Sequence, residues 1–156
     1  MLTMDILKLL KADHDEVEKL FRQVEKEGDR RGEIIGKILS ALEIHTRLEE
    51  TLFYPELETA VETADLIRES YEEHKHVKEL VAELRATAID DPDCMPRLKV
   101  LREQVEHHVE EEESELFPAA KDVLDTDDRA MIGEEAEEMK RRATRGEREE
   151  AYPEGP

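Results

Sequence analysis

The sequence predicts an all-α protein: an antiparallel up-down-up-down four-helix bundle with an additional short C-terminal helix. Three observations carry that expectation. Apolar residues step by three and four along four segments of about 25 residues each. Glycine and proline number six each in 156 residues and are scarce inside those segments. The breaks between segments are short, as antiparallel neighbours in a bundle require.

The first segment runs from about Met4 to Glu27 with the stripe Ile6, Leu10, Val17, Phe21 and Val24. Gly28-Asp29-Arg30-Arg31-Gly32 breaks it. The second runs from about Glu33 to Thr59 with Ile35, Ile38, Leu42, Leu52 and Phe53. Thr63-Ala64-Asp65 reads as a loop and N-cap. The third runs from about Asp65 to Ile89 with Ile67, Tyr71, Val77, Val81 and Leu84, and Asp90-Asp91-Pro92-Asp93 ends it. The fourth runs from about Met95 to Leu124 with Leu98, Leu101, Val105, Leu116 and Val123. Asp125-Thr126-Asp127-Asp128 then caps a shorter fifth helix, about Asp128 to Arg142, with Ile132 and Met139 on one side. The expected organisation is a bundle over 1–125, an accessory helix over 126–142 and a mobile polar tail over 143–156.

Lys and Arg number 23 against 43 Asp and Glu, a formal net charge of −20. Nucleic acid and anionic membrane both reward clustered positive charge, so neither is an expected partner. One cysteine, Cys94 in a loop, excludes a disulfide framework and a cysteine-based metal site. No apolar run approaches the roughly 20 residues that cross a bilayer. Met1-Leu2-Thr3-Met4-Asp5 lacks the basic start and cleavage site of a signal peptide, so a cytoplasmic location is expected.

Each apolar seam is interrupted. His14 stands between Leu10 and Val17, His45 and Glu49 between Leu42 and Leu52, His74 between Tyr71 and Val77, and His108 and Glu112 between Val105 and Leu116. Six ionisable side chains thus point into one core, at least one from each helix. Burying a charge alone costs several kcal/mol, and a metal ion supplies compensation. Imidazole with carboxylate suits Fe, Mn, Zn or Cu. His and Glu four apart share a helical face. One such pair says little in so acidic a chain; a seam histidine on every helix, two of them followed by glutamate at plus four, says much more.

The pattern also repeats. Asp13-His14-x2-Val17-x2-Leu20 matches Glu73-His74-x2-Val77-x2-Leu80, and proline stands ten residues after His45 and again after His108, at Pro55 and Pro118. The chain reads as two helix hairpins, each ordered His, then His-x3-Glu, which suits a two-metal centre.

His14, His45-x3-Glu49, His74 and His108-x3-Glu112, with Leu9-Leu10-Lys11-Ala12-Asp13-His14 and Glu49-Glu50-Thr51-Leu52-Phe53-Tyr54-Pro55, resemble the hemerythrin-like HHE cation-binding domain over about residues 3 to 125. The resemblance implies a non-haem di-iron centre with an oxo or hydroxo bridge. Glu49 and Glu112 would bridge the irons, and His14, His45, His74 and His108 would be terminal ligands. It leaves Mn and Zn open as alternatives to iron. Two departures bear on function. Oxygen-carrying hemerythrins have five histidines, with His-x3-His on the third ligand helix, where this chain has Lys78 four after His74; their second acid is an aspartate at plus five. Four histidines and two bridging glutamates leave each iron an open position. That ligand count favours inner-sphere chemistry with H2O2, O2 or NO over reversible carriage, with peroxide disproportionation the first activity to test. A ferritin-like centre would need Glu-x-x-His on two helices, and it occurs only at Glu73-His74-Lys75-His76.

His107-x3-Glu111 copies the spacing of His108-x3-Glu112, but Leu101, Val105, Leu116 and the proline ten residues on select His108. His107 and His76 read as surface residues. Tyr54 would point away from Glu49 in a straight helix. A kink at Pro55 could swing it toward the metals as ligand or redox partner; the plainer alternative is packing on a neighbouring helix. Phe21, Phe53 and Tyr71 read as walls of the pocket. A second functional reading keeps the same site as an iron- or oxygen-sensing module without catalysis, and a third is a bundle without native metal. The oligomeric state is open.

Overall fold

The computed structural model describes residues 4–151. Asp5 caps the first helix, α1 (Ile6–Lys26), its carboxylate accepting from the Lys8 N–H at 3.0 Å and so satisfying one of the orphan donors of the first turn. A single 3-10 turn, Gly28–Arg30, reverses the chain into α2 (Arg31–Leu48). The second hairpin is α3 (Ala64–Arg85) and α4 (Cys94–Glu111). Thr63 precedes α3 as expected but does not cap it with its side chain; its hydroxyl donates to the Leu57 carbonyl at 2.6 Å and ties the connecting loop instead. Cys94 is not in a loop but buried at the start of α4. Among the described residues no helix is long and apolar enough to cross a membrane.

The second and fourth segments are not straight helices. α2 passes into a π-helical turn over Glu49–Phe53 and a 3-10 turn over Tyr54–Glu56. α4 passes into a π-helical turn over Glu112–Leu116 and then α5 (Phe117–Val123). Each π turn begins at a seam glutamate, and a proline stands two residues past its end, at Pro55 and Pro118. Proline has no N–H to return to the carbonyl four back. Just before each proline the ladder closes on the fifth residue, Tyr54 N–H to Glu49 O and Phe117 N–H to Glu112 O.

α1 packs on α2 and α3 on α4. The apolar core is split in two. One cluster holds Val17, Phe21, Ile35, Ile38, Val81 and Leu101; the other holds Ile6, Leu10, Leu48, Phe53, Ile67 and Leu116. The six seam histidines and glutamates, all buried, form the polar belt between them.

The C-terminal helix is longer than its pattern suggests. α6 spans Thr126–Ala151 rather than Asp128 to Arg142, so the expected mobile tail is helical through Ala151. Residues 1–3 of the expected bundle and 152–156 of the expected tail lie outside the described residues. Asp125 and Asp128 bond reciprocally at its start: Asp125 accepts from the Asp128 N–H at 2.8 Å and Asp128 from the Asp125 N–H at 3.3 Å. α6 then lies across α1 and the end of α2, burying Ile132 and Ala136 in the second apolar cluster.

Gly133 sets how closely α6 docks. A Cβ there would stand 2.1 Å from the Met4 carbonyl oxygen, which is backbone and cannot step aside alone. Gly133→Ala is therefore expected to push α6 off the start of α1 and cost about 1–3 kcal/mol, as overpacking does. Urea denaturation measures it; an unchanged midpoint would mean that α6 contributes little to the bundle.

Candidate metal centre

In an α-helix, the position five after a residue sits about 140° around the axis from it. Closure on the fifth residue places it nearly over the first instead. The two π turns therefore bring Tyr54 onto the face of Glu49 and Phe117 onto the face of Glu112. The proline kink alone does not explain Tyr54; the π turn does, and sequence periodicity carries no signal for it.

The structure brings all six seam residues together in two groups that share the glutamates: His14, His45, Glu49 and Glu112, and Glu49, His74, His108 and Glu112. His45 and His74 Nε2 lie 3.0 and 3.1 Å from Glu49 Oε1. His14 Nε2 lies 3.1 Å from Glu112 Oε1, and His108 Nε2 lies 3.4 Å from Glu112 Oε2. The ring pairs match across the hairpins: His14 and His45 centroids are 5.0 Å apart at 61°, His74 and His108 4.8 Å at 65°. The structure buries His108 and leaves His107 and His76 exposed, as the register argument requires.

A carboxylate backs every histidine. Nδ1 of His45 donates to Asp13 at 3.1 Å, of His74 to Glu50 at 2.9 Å, of His108 to Glu73 at 2.7 Å and of His14 to Glu113 at 2.7 Å. The four contacts close a ring: α1 supports α2, the turn after α2 supports α3, α3 supports α4, and the turn after α4 supports α1. With Nδ1 engaged, each Nε2 faces the centre, the arrangement that orients metal-ligating histidines. These four acids are sequence neighbours of the ligands, just before His14 and His74 and just after Glu49 and Glu112. The acid-His repeat was visible in the sequence, but the cross-helix pairing was not.

The electrostatics of the cluster are those of buried carboxylates in want of positive charge. Burial opposes the charged form of Glu112, yet the His108 charge and the hydrogen bond from His14 hold its pKa well below the usual range. Burial likewise opposes imidazolium at His45, but the Glu49 charge and the hydrogen bond to Asp13 push it up to about 10. His108 is raised well above its ordinary value against burial, chiefly by Glu112. Protons on imidazole thus balance the glutamates, and a metal ion among the Nε2 atoms balances them better. Two buried atoms of this cluster lack any hydrogen-bond partner: Glu49 Oε2 and His45 Nε2, the latter off-axis from Glu49. Orphaned buried polar atoms cost about 1–3 kcal/mol each. Their position among imidazole and carboxylate donors fits a cation.

Tyr54 and Phe117 make the two halves unequal. The Tyr54 Oη lies 3.1 Å from His74 Nε2 and 3.3 Å from His108 Nε2, and donates to Glu112 Oε2 at 2.5 Å. Burial and the charges of Glu49 and Glu112 hold its pKa well above 10. Phe117, at the equivalent place, stacks on His14 at 5.9 Å and offers no donor atom. Phe53 packs against both rings, 5.9 Å from Tyr54 and 6.0 Å from Phe117. Tyr71 sets its ring edge-on to Tyr54 and its hydroxyl on Glu58. Phe21 lies instead in the far apolar cluster under the Arg102 guanidinium.

A cavity of about 20 Å³ adjoins the centre, bounded by all four ligand-type histidines and by Val17, Leu42, Val77, Val105 and Val109. About 10–15 Å³ on this measure holds one water. Apolar periodicity carries no sign of this chamber, because its apolar walls are ordinary aliphatic side chains.

Residues 5–120 match the family described as Hemerythrin HHE cation binding domain. The chain is 30% identical over 127 residues to the uncharacterized protein Rv2633c of Mycobacterium tuberculosis, covering 80% of this chain and 77% of that one. It is 29% identical over 126 residues to a Nostoc protein named DNA nickase, covering 80% of this chain but only 36% of that longer protein. The crystal structure of a Hemerythrin HHE cation binding domain-containing protein from Mycobacterium kansasii, a homolog of Rv2633c, superposes with a TM-score of 0.82 at 23% identity, over 96% of this chain and 94% of that one.

The pH dependence of stability reads out the proton balance. In chelator-stripped protein the His45 pKa stands at about 10 against an ordinary 6.5. A raised folded-state pKa contributes stability that is complete below the unfolded value and lost as pH rises through the folded one. Urea midpoints of the stripped protein are therefore expected to fall between pH 6.5 and 10, with His108 adding to the trend. Glu112, held low, acts only in acid, outside that window. Metal reverses the trend, because binding releases those protons. A flat profile in stripped protein would show that the imidazoles are not its counter-charges.

Proposed function

The chain belongs to the hemerythrin HHE cation binding domain family, and from that premise we propose that it is a di-iron protein that binds and turns over a small oxidant, hydrogen peroxide first, with O2 and NO as ligands of the same site. The observation that carries the reading is the valine-walled chamber of about 20 Å³ set against the buried histidines. It has room for a molecule of water size and not for an organic substrate.

One ion would be held by His14, His45 and the two glutamates, the other by His74, His108 and the same glutamates. Bound iron would supply the two-electron redox capacity that disproportionation needs, 2 H2O2 → 2 H2O + O2, a balance that calls for no external reductant. The protein's residues supply the rest. Asp13, Glu50, Glu73 and Glu113 hold Nδ1 of the four histidines and fix the direction of Nε2. The valines keep bulk water out of the chamber. Tyr54 would offer a further oxygen donor on the His74 and His108 side, while Phe117 offers none on the His14 side. Tyr54 also holds a proton at Oη, hydrogen-bonded to Glu112, inside a site otherwise closed to solvent. DNA nicking is not carried over from the Nostoc relative: the net charge of −20 repels a phosphate backbone, and this chain spans about a third of that protein.

Iron-loaded protein is expected to degrade peroxide at least about a hundredfold faster than the Glu49→Ala, Glu112→Ala double variant, since lost ligands cost more than lost outer partners. Equal rates would sink the enzymatic reading. A visible absorption band present in the iron-loaded protein and missing in Tyr54→Phe would identify the phenol as a ligand; an identical spectrum would leave it as a proton donor.

A further inference from the structure

The four acids that back the histidines differ in what lies on their outer side. Asp13 pairs with Lys140, Glu50 with Lys78 at 2.7 Å, and Glu113 with Lys11 at 3.5 Å. Each of the three therefore sits between an imidazole and an ammonium. Glu73 does not. Among the described residues no lysine or arginine pairs with it. Its Oε1 accepts from His108 Nδ1, and its Oε2 faces outward, 3.6 Å from His107 Nε2. His107 Nε2 in turn lies 3.1 Å from Glu111 Oε1, and among the described residues no lysine or arginine pairs with Glu111 either. Where the other three positions have a cation, this one has an imidazole and a second carboxylate.

The geometry suits an ion. His107 and Glu111 stand one turn apart on α4 and face one point, while Glu73 comes from α3. Their donor atoms all lie within 4.8 Å of one another. A four-coordinate ion with bonds of about 2.0–2.2 Å sets its donors about 3.3–3.6 Å apart, close to the spacings here. His107 is 59% exposed and Glu73 11%, so the site opens to solvent on one side and meets the buried centre on the other.

We propose that Glu73, His107 and Glu111 form a surface site for a divalent transition-metal ion, joined to the buried centre through the two oxygens of Glu73. The ion takes the place that a lysine holds beside Asp13, Glu50 and Glu113. One imidazole and two carboxylates favour Zn²⁺, Fe²⁺ or Mn²⁺ over the all-oxygen cations Ca²⁺ and Mg²⁺. The inference does not rest on the di-iron reading, because its donors are not among the six buried ones.

Equilibrium dialysis of metal-loaded protein against Zn²⁺ tests it. One ion per chain beyond the buried complement is expected, with iron content unchanged. His107→Gln and Glu111→Gln should each weaken that ion at least about tenfold, the least that losing even an outer partner costs a metal site. His76→Gln, at another exposed histidine, should leave it unchanged. The substituted side chains lie at the surface, and circular dichroism checks that the variants fold. No additional Zn²⁺, or an additional ion indifferent to both substitutions, overturns the site. The same titration on the Glu49→Ala, Glu112→Ala variant separates the two proposals. The outer ion is expected to persist there, so a chain that takes up no iron at its centre still reports on this one.

Discussion

Glu49 and Glu112 lie in the middle of the bundle at 0% and 1% exposure, and carboxylates so placed cost several kcal/mol unless positive charge comes to them. The four histidines answer that need with imidazole nitrogens. Their own positions then have to be fixed, and Asp13, Glu50, Glu73 and Glu113 do so at the outer ring nitrogens. Those acids in turn sit nearer the surface, where lysines reach three of them. The site is built in concentric layers of alternating charge, carboxylate, imidazole, carboxylate, ammonium, and the apolar core is divided in two to make room for it. A bundle seeking only stability would fill that belt with leucine.

The layers also explain why so acidic a chain is not simply unfolded by its own charge. The acids nearest the centre are paired inward with histidine, and α6 contributes to the same system. Gly133 lets it approach α1 closely, and Lys140 from its next turns pairs with Asp13. The accessory helix is thereby joined to His45 through one carboxylate, so its docking and the order of the centre are linked.

Much of this was legible in the sequence, for a physical reason. A histidine in an apolar stripe is conspicuous because hydrophobic periodicity predicts what should stand there, and His14, His45, His74 and His108 were found in that way, as were Glu49 and Glu112. The register of His108 over His107 followed from Leu101 and Val105. What was not legible depends on backbone hydrogen bonding or on contact between helices. The π turns change the facing of Tyr54 and Phe117 without changing composition. The pairing of Asp13 with His45, rather than with its neighbour His14, is a property of the packed hairpin. α6 runs past its expected end because its outer residues, mostly charged, give no apolar period to follow, and Cys94, expected in a loop, opens α4.

The internal repeat is most informative where it fails. Two hairpins of the same plan put equivalent histidines, glutamates and π turns on either side of a pseudo-twofold axis. Symmetry of that kind would give two equal halves, and equal halves would share any ligand evenly. Tyr54 against Phe117 breaks it at the inner layer, placing an oxygen donor beside His74 and His108 and a phenyl ring beside His14. Glu73 breaks it at the outer layer, exchanging a lysine for His107 and Glu111. Both departures fall on the His108 side of the molecule. One half of the centre is thus more richly supplied with donors within and open to an additional cation without, while the other half faces apolar rings and a lysine-neutralised rim. An unequal pair is what separates a site that holds from a site that reacts, and in this fold the inequality comes from a handful of side chains laid over a repeated backbone.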